Sequence, residues 1–257
     1  MNQTERRGYL IGYLLSKSGE KAEIPQDELL QKRLLRALFN VRPPKPASEE
    51  FLRVQDEYLQ EELRNKGVTE AEKLPLTAAG FALYKGDITT LKCDAIVNAA
   101  NSAMLGCFAP NHACIDNAIH TFAGIEVRRD CAEIMKGDSA KNGEVIVTSA
   151  YNLPSEYIFH TAGPIVYGKV TEQNEKDLFS CYANCLEKAA DMKLKSIAFC
   201  CISTGVFGYP QEAAANVAVS AVKGFLSSRA GKDAGGIKVI FDVFTEKDYE
   251  IYRRLIG

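Results

Sequence analysis

Cys107, His112 and Cys114 share one eight-residue stretch, so two thiols and an imidazole come together in a single loop. Thiolate sulfur and neutral imidazole nitrogen suit Zn²⁺, and three protein ligands leave a fourth position for water or substrate. Pro110 stiffens the span between them. A closed structural site would need another ligand. Asp116 is near in sequence, and Cys93 or Cys131 could approach in space. The same residues also read as two incidental thiols and a surface histidine, in a chain with 8 Cys. Just before the loop, Asn98 and Asn101 follow the short apolar run 95–97. Their amides both donate and accept, which suits sugar hydroxyls. Asp116 closes the stretch as an expected N-cap for the next helix.

Two other places carry polar chemistry. Gly86-Asp87-Ile88 follows a short strand. Its carboxylate could accept from an exocyclic amine, and equally could cap a turn. Ser203-Thr204-Gly205-Val206-Phe207-Gly208-Tyr209-Pro210 joins an apolar strand to a helix. Free backbone N–H groups ahead of a helix N-terminus favour phosphate, although such loops also serve as plain connectors. No Gly-Lys-Ser/Thr follows, so this is not a P-loop. His120 and His160 read as packed, hydrogen-bonded histidines. Cys181 and Cys185 lie one helical turn apart and read as core, with a second metal pair as the alternative.

The elements that must position these residues fall into two parts. Residues 1–74 hold three amphipathic helical stretches, 3–17, 26–39 and 48–66, and nothing there looks chemical. In the second, Leu29, Leu30, Leu34, Leu35, Leu38 and Phe39 recur at helical spacing, and the Pro43-Pro44-Lys45-Pro46 run ends it. A helical layer packed on the main domain is expected, with partner docking or substrate covering as the alternative. From residue 80, strands at 81–84, 95–98, 145–148, 157–161, 196–202 and 238–244 alternate with helices at 115–122, 127–135, 172–192, 210–228 and 246–256. That alternation predicts an α/β layer sandwich with ligands at the carboxyl ends of strands. The expected domains are residues 1–74 and 75–257.

Composition narrows the class. The net charge is −2 with 25% charged residues, which offers no basic surface for nucleic acid. No apolar run approaches a membrane span. Arg6-Arg7 precede the apolar residues 8–15, but no small-residue cleavage pattern follows, so a signal peptide is not expected. Scattered cysteines in apolar runs, such as Cys200-Cys201, suggest buried thiols in a reducing cytoplasm. No dimer interface is readable, and a monomer is the default.

Taken together, GDIT (86–89), DAIVNAAN (94–101), DNAIHTFAG (116–124), GEVIVTSAYNLP (143–154), YIFHTAGP (157–164) and ISTGVFGYP (202–210) resemble the macrodomain family of ADP-ribose binders and hydrolases. They run in family order through residues 80–257. The resemblance implies a three-layer α/β/α fold with a central mixed sheet, extended here by the N-terminal helices. Where most hydrolytic relatives carry a glycine run, this chain has LGCFAPNHACID (105–116). That loop is similar to the zinc-containing branch of bacteria and fungi, in bacteria often encoded beside a sirtuin-like ADP-ribosyltransferase.

The resemblance implies that Asp87 and Ile88 bind adenine and that Phe244 stacks on it. Ser203, Thr204, Gly205, Val206 and Phe207 would supply the phosphate loop. Asn98 and Asn101 would face the distal ribose. Cys107, His112 and Cys114 would hold Zn²⁺ beside that ribose, with Asp116 at the catalytic position. The implied activity is zinc-dependent removal of mono-ADP-ribose from modified, acidic side chains of a protein substrate. A non-catalytic ADP-ribose reader and an O-acyl-ADP-ribose deacylase are the alternatives.

Overall fold

A computed structural model describes residues 1–19, 23–228 and 236–257. Three helices open the chain: α1 (Gln3–Ser18), α2 (Glu28–Val41) and α3 (Glu49–Lys66). Each begins where a short polar side chain satisfies an orphan N–H. Asn2 and Glu5 form a capping box, Asp27 accepts from the Leu30 N–H, and Ser48 accepts from the Phe51 N–H. The α2 start therefore falls after Asp27 rather than at residue 26. The three helices enclose a core of their own, including Leu10, Ile11, Leu35, Phe39, Phe51 and Val54, which takes in Ile125 from the main body. Leu29 and Leu30, expected in that stripe, stand 66% and 50% exposed. The inward face of α2 is set by Leu35, Leu38 and Phe39 instead.

After a two-residue parallel pair, β1 (Thr69–Glu70) with β3 (Leu91–Lys92), a six-stranded sheet forms the centre. Its strands are β2 (Ala82–Lys85), β4 (Ala95–Ala100), β5 (Val145–Ser149), β6 (Tyr157–Ala162), β7 (Ser196–Phe199) and β8 (Lys238–Val243). The order is β2-β8-β7-β4-β6-β5. All neighbours run parallel except β5, which pairs antiparallel with β6. The central strands are apolar on both faces, as a sheet covered by helices on both sides requires. The flanking helices are α4 (Ile115–Ala123), α5 (Glu126–Met135), α6 (Glu172–Asp191), α7 (Gln211–Ser227) and α8 (Glu246–Ile256).

Several further boundaries shift by a few residues, and three of them bear on the site. β4 continues to Ala100, so Asn98 sits inside the strand with no exposed surface. β7 stops at Phe199, leaving Cys200 and Cys201 beyond its end. The N-cap of α4 is Cys114, not Asp116. The Cys114 sulfur accepts from the Asn117 N–H at 3.4 Å, and Asp116 lies within the first turn. All eight cysteines are free thiols. Cys181 and Cys185 are buried in the main core, on α6. Among the described residues, no helix is long and apolar enough to cross a membrane.

Candidate active site

Five parallel strands place their carboxyl ends along one edge of the sheet. In sheet order that edge carries Asp87 after β2, Phe244 after β8, residues 203–207 after β7, and Asn98 and Asn101 in and after β4. This is where a parallel α/β sheet receives a ligand. The three separate sequence motifs thus become one line.

Asp116 is the most constrained group at the β4 end. It is 5% exposed, and its Oδ1 accepts from Asn98 Nδ2 at 2.8 Å. Its Oδ2 faces Asn101 Nδ2 at 3.4 Å. Asn101 also donates to the Gly106 carbonyl and accepts from the Ala103 N–H, which pins the start of the loop. Behind Asn98, the same Nδ2 reaches His160 Nδ1 at 3.1 Å, and His160 Nε2 meets the Thr148 hydroxyl at 3.0 Å. An amide nitrogen only donates, so His160 must accept at Nδ1 and carry its proton on Nε2. Burial pushes the Asp116 carboxyl up to about 6, opposed by the Asn98 hydrogen bond and the nearby Arg128 guanidinium. Burial lowers His160 to about 3, so its imidazole is neutral at ordinary pH.

His160 matches its expected hydrogen-bonded role, and His120 departs from it. His120 is buried with no hydrogen-bond partner at either ring nitrogen, and its Nε2 is 3.6 Å from Asp116 Oδ1, beyond a hydrogen bond. Its ring instead packs under the backbone of Gly106. That residue has φ +78°, and a Cβ there would lie 2.8 Å from the ring.

The loop between β4 and α4 brings Cys107, His112 and Cys114 together. Their ligand atoms lie within 4.8 Å of one another, and Cys107 Sγ is 3.5 Å from His112 Nδ1. All three are half-buried. Burial pushes the Cys114 thiol up to about 11, and the adjacent Cys107 adds to this. Two thiols and an imidazole converging this closely form a donor set that could hold a metal ion, which would favour both thiolates. Cys93 and Cys131 do not join the set. Cys93 donates to the Leu91 and Ala95 carbonyls, whereas Cys131 lies 3.8 Å from His160 Nε2 in the buried layer with His120.

At the other end of the edge, Asp87 caps a short 3-10 turn, accepting from the Thr89 N–H at 3.0 Å. The cap and ligand readings of this residue are therefore compatible, because its Oδ2 points away from the turn and pairs with Lys66 of α3 at 3.1 Å. The Thr89 hydrogen bonds and Lys66 hold the Asp87 carboxyl below the usual range despite burial, which alone would raise it. Ile88 is buried and Phe244 is 82% exposed, a ring free to stack. In the loop after β7, Ser203 has φ +65°, and Tyr209 N–H bonds back to its carbonyl at 3.0 Å. Thr204 N–H is turned inward to Cys201. Among the described residues, the N–H groups of Gly205, Val206 and Phe207 have no hydrogen-bond partner. Three unpaired donors ahead of α7 suit an anion.

The Macro domain family matches residues 97–218. A protein-ADP-ribose hydrolase of Treponema medium is 49% identical across the whole of both chains. The chain belongs to the macrodomain family. A protein-ADP-ribose hydrolase of Staphylococcus aureus (strain MRSA252) is 48% identical over 86% of this macrodomain and 82% of its own length. A Trypanosoma brucei macrodomain solved in complex with ADP-ribose superposes with TM-score 0.66 at 30% identity, covering 86% of this chain and 95% of that one.

The residues that sequence reasoning missed in this macrodomain belong to the N-terminal helices and α5. Arg36 of α2 donates to Asn117 Oδ1 at 2.8 and 3.1 Å and to the His112 carbonyl at 3.2 Å. Asn40 accepts from the Asn111 N–H at 2.9 Å and donates to Thr121. Arg128, on α5, donates to the Leu105 carbonyl at 2.7 Å and to the Phe39 carbonyl at 3.1 Å. Burial lowers the Arg128 guanidinium to about 10, so it stays charged. The Cys/His loop is thus clamped from outside by α2 and from beneath by α5. Arg36 and Asn40 lie four residues apart and so share one face of α2, the cue the sequence offered for that pair.

Proposed function

We propose that this macrodomain is a zinc-dependent hydrolase of the zinc-containing branch, removing mono-ADP-ribose from acidic side chains of modified proteins. Residues 75–257 carry the chemistry, and residues 1–74 form the helical extension that braces it. The observation that carries the reading is Asp116, buried and gripped by Asn98 and Asn101, beside a loop on which Cys107, His112 and Cys114 converge. The names and identity of the two bacterial relatives support hydrolysis of protein-linked ADP-ribose.

The edge of the sheet then reads as a binding line. Asp87 accepts from the adenine amine beside the Ile88 backbone, and Phe244 stacks on the ring. The free N–H groups of Gly205, Val206 and Phe207 take the diphosphate, with Ser203 and Thr204 shaping the turn. The distal ribose lies at the β4 end. Cys107, His112 and Cys114 would hold Zn²⁺ there. When bound, the ion supplies a Lewis acid for the ribose oxygens and lowers the pKa of a nearby water. Asn98 and Asn101 fix Asp116 in one rotamer. Asp116 orients the attacking water and takes its proton. A bond forms from water oxygen to the anomeric carbon, the carbon–oxygen bond to the acceptor breaks, and the acceptor leaves as a carboxylate.

The test is release of free ADP-ribose from a protein mono-ADP-ribosylated on acidic side chains, before and after metal stripping. Release should vanish on stripping and return with Zn²⁺. Cys107→Ala should lower turnover far more than affinity for free ADP-ribose. Full turnover without metal would remove zinc from the mechanism. Tight ADP-ribose binding with no release by the metallated protein would favour a reader.

A further inference from the structure

A cleft of about 380 Å³ opens between α2, α3 and α4, and it shares no residue with the binding line described above. Its walls carry Lys32, Arg33, Arg36 and Lys66, against one carboxylate, Glu62. Phe122 forms part of the wall, with the Lys66 ammonium 3.3 Å from its ring centroid.

The cations are not equally compensated. Lys32 pairs with Glu28 and Glu62, and Lys66 pairs with Asp87. Arg36 meets only uncharged acceptors, Asn117 Oδ1 and the His112 carbonyl. Arg33 has no hydrogen bond or ion pair among the described residues and is exposed. Neither guanidinium is hydrogen-bonded to a carboxylate, although the Asp87 charge is felt at Arg36, and guanidinium is the cation whose planar fork matches a carboxylate with two parallel hydrogen bonds. Leu29, 66% exposed, precedes Arg33 by one helical turn on α2. The rim thus offers an apolar contact beside the charges.

Position gives the cleft its partner. Asn111 of the Cys/His loop lines it, and Arg36 reaches from it to the backbone of His112. The cleft therefore begins where the distal ribose, and the side chain attached to that ribose, would end. We propose that it docks an acidic segment of the modified protein next to the acceptor residue, so that the N-terminal helices select substrate. This deepens the hydrolase reading and rests on it for the substrate's identity, although not for the existence of the docking surface.

The experiment uses the full chain, wild type and Arg33→Glu. Arg33 is exposed and has no hydrogen bond or ion pair among the described residues, so its replacement breaks none of those that hold the fold. Two probes are mono-ADP-ribosylated peptides, one with glutamates flanking the acceptor and one with glutamines in their place. A third is the unmodified, fluorescently labelled glutamate peptide, followed by anisotropy. Reversing one charge should weaken the glutamate peptides about five-fold, as one exposed ion pair contributes up to about 1 kcal/mol. KM for the modified glutamate peptide should rise by that factor with kcat unchanged. KM for the glutamine peptide and affinity for free ADP-ribose should stay constant. If neither modified peptide releases ADP-ribose, the hydrolase reading fails, and the anisotropy arm still decides the cleft. Equal anisotropy binding by wild type and Arg33→Glu, or no binding by either, would overturn the docking proposal. So would an equal KM change for both modified peptides.

Discussion

Asp242 lies within β8, 5% exposed, and its Oδ1 has no partner. Burial first, and the charge on Asp87 second, push its carboxyl well above the ordinary 3.8. The sign follows from that direction. A carboxyl held protonated by the fold contributes fully below the unfolded value. Its contribution is lost as pH rises towards the folded value, by up to about 1.4 kcal/mol per pH unit. Asp242→Asn should therefore melt higher than wild type at pH 8, with the gap narrowing towards pH 5. Parallel melting curves across that range would show that Asp242 is ionised in the fold at little cost. Asp116 differs in kind, because two amides hold its oxygens where Asp242 has an orphan. The convergence of the two asparagines, the aspartate and the Cys107, His112 and Cys114 donor set was readable from the sequence, since all lie in one short contiguous stretch. The stack of Thr148, His160 and Asn98 was not, because it needs the strand register that sets Asn98 beside His160 and His160 beside Ile146.

At the scale of elements, α2 does the least expected work. Its apolar stripe announced a helix, and its inward face was half legible, but a stripe says nothing of what the opposite face touches. Arg36 and Asn40 act on residues about seventy to eighty positions away, and no local pattern encodes such a pairing. The N-cap of α4 shows the same limit. Asp116 fits the usual cap preference, yet the cap is Cys114, which frees the carboxylate to turn towards Asn98. Groups that orient metal ligands typically affect affinity 10- to 100-fold. Arg36→Ala should lower zinc affinity by about ten-fold, measured by competition with a chromogenic chelator, while the far-UV spectrum stays the same. Unchanged affinity would mean that the loop holds its shape without α2.

Across the whole molecule, the helical extension and the sheet domain are joined by polar as well as apolar contacts. Gln55 of α3 is fully buried, accepts from the Ile125 N–H at 3.0 Å and donates to Glu126 at 2.9 Å. Gln55→Ala leaves both groups buried without a partner, a loss of about 1–3 kcal/mol per group. Urea unfolding should shift to a lower midpoint as one transition, seen alike by helical ellipticity and by tyrosine emission. Two separated transitions in wild type would show that the extension folds on its own. Lys66, the last residue of α3, ties this joint to the carboxyl edge of the sheet. It spans Asp87 on one side and the docking cleft on the other. In the proposed complex, an adenine amine drawing on Asp87 would weaken its hold on that ammonium and leave it available to an acidic segment in the cleft. Thermodynamic reciprocity would then require the reverse, so that the nucleotide half and the protein half of a modified substrate would each tighten the other's grip.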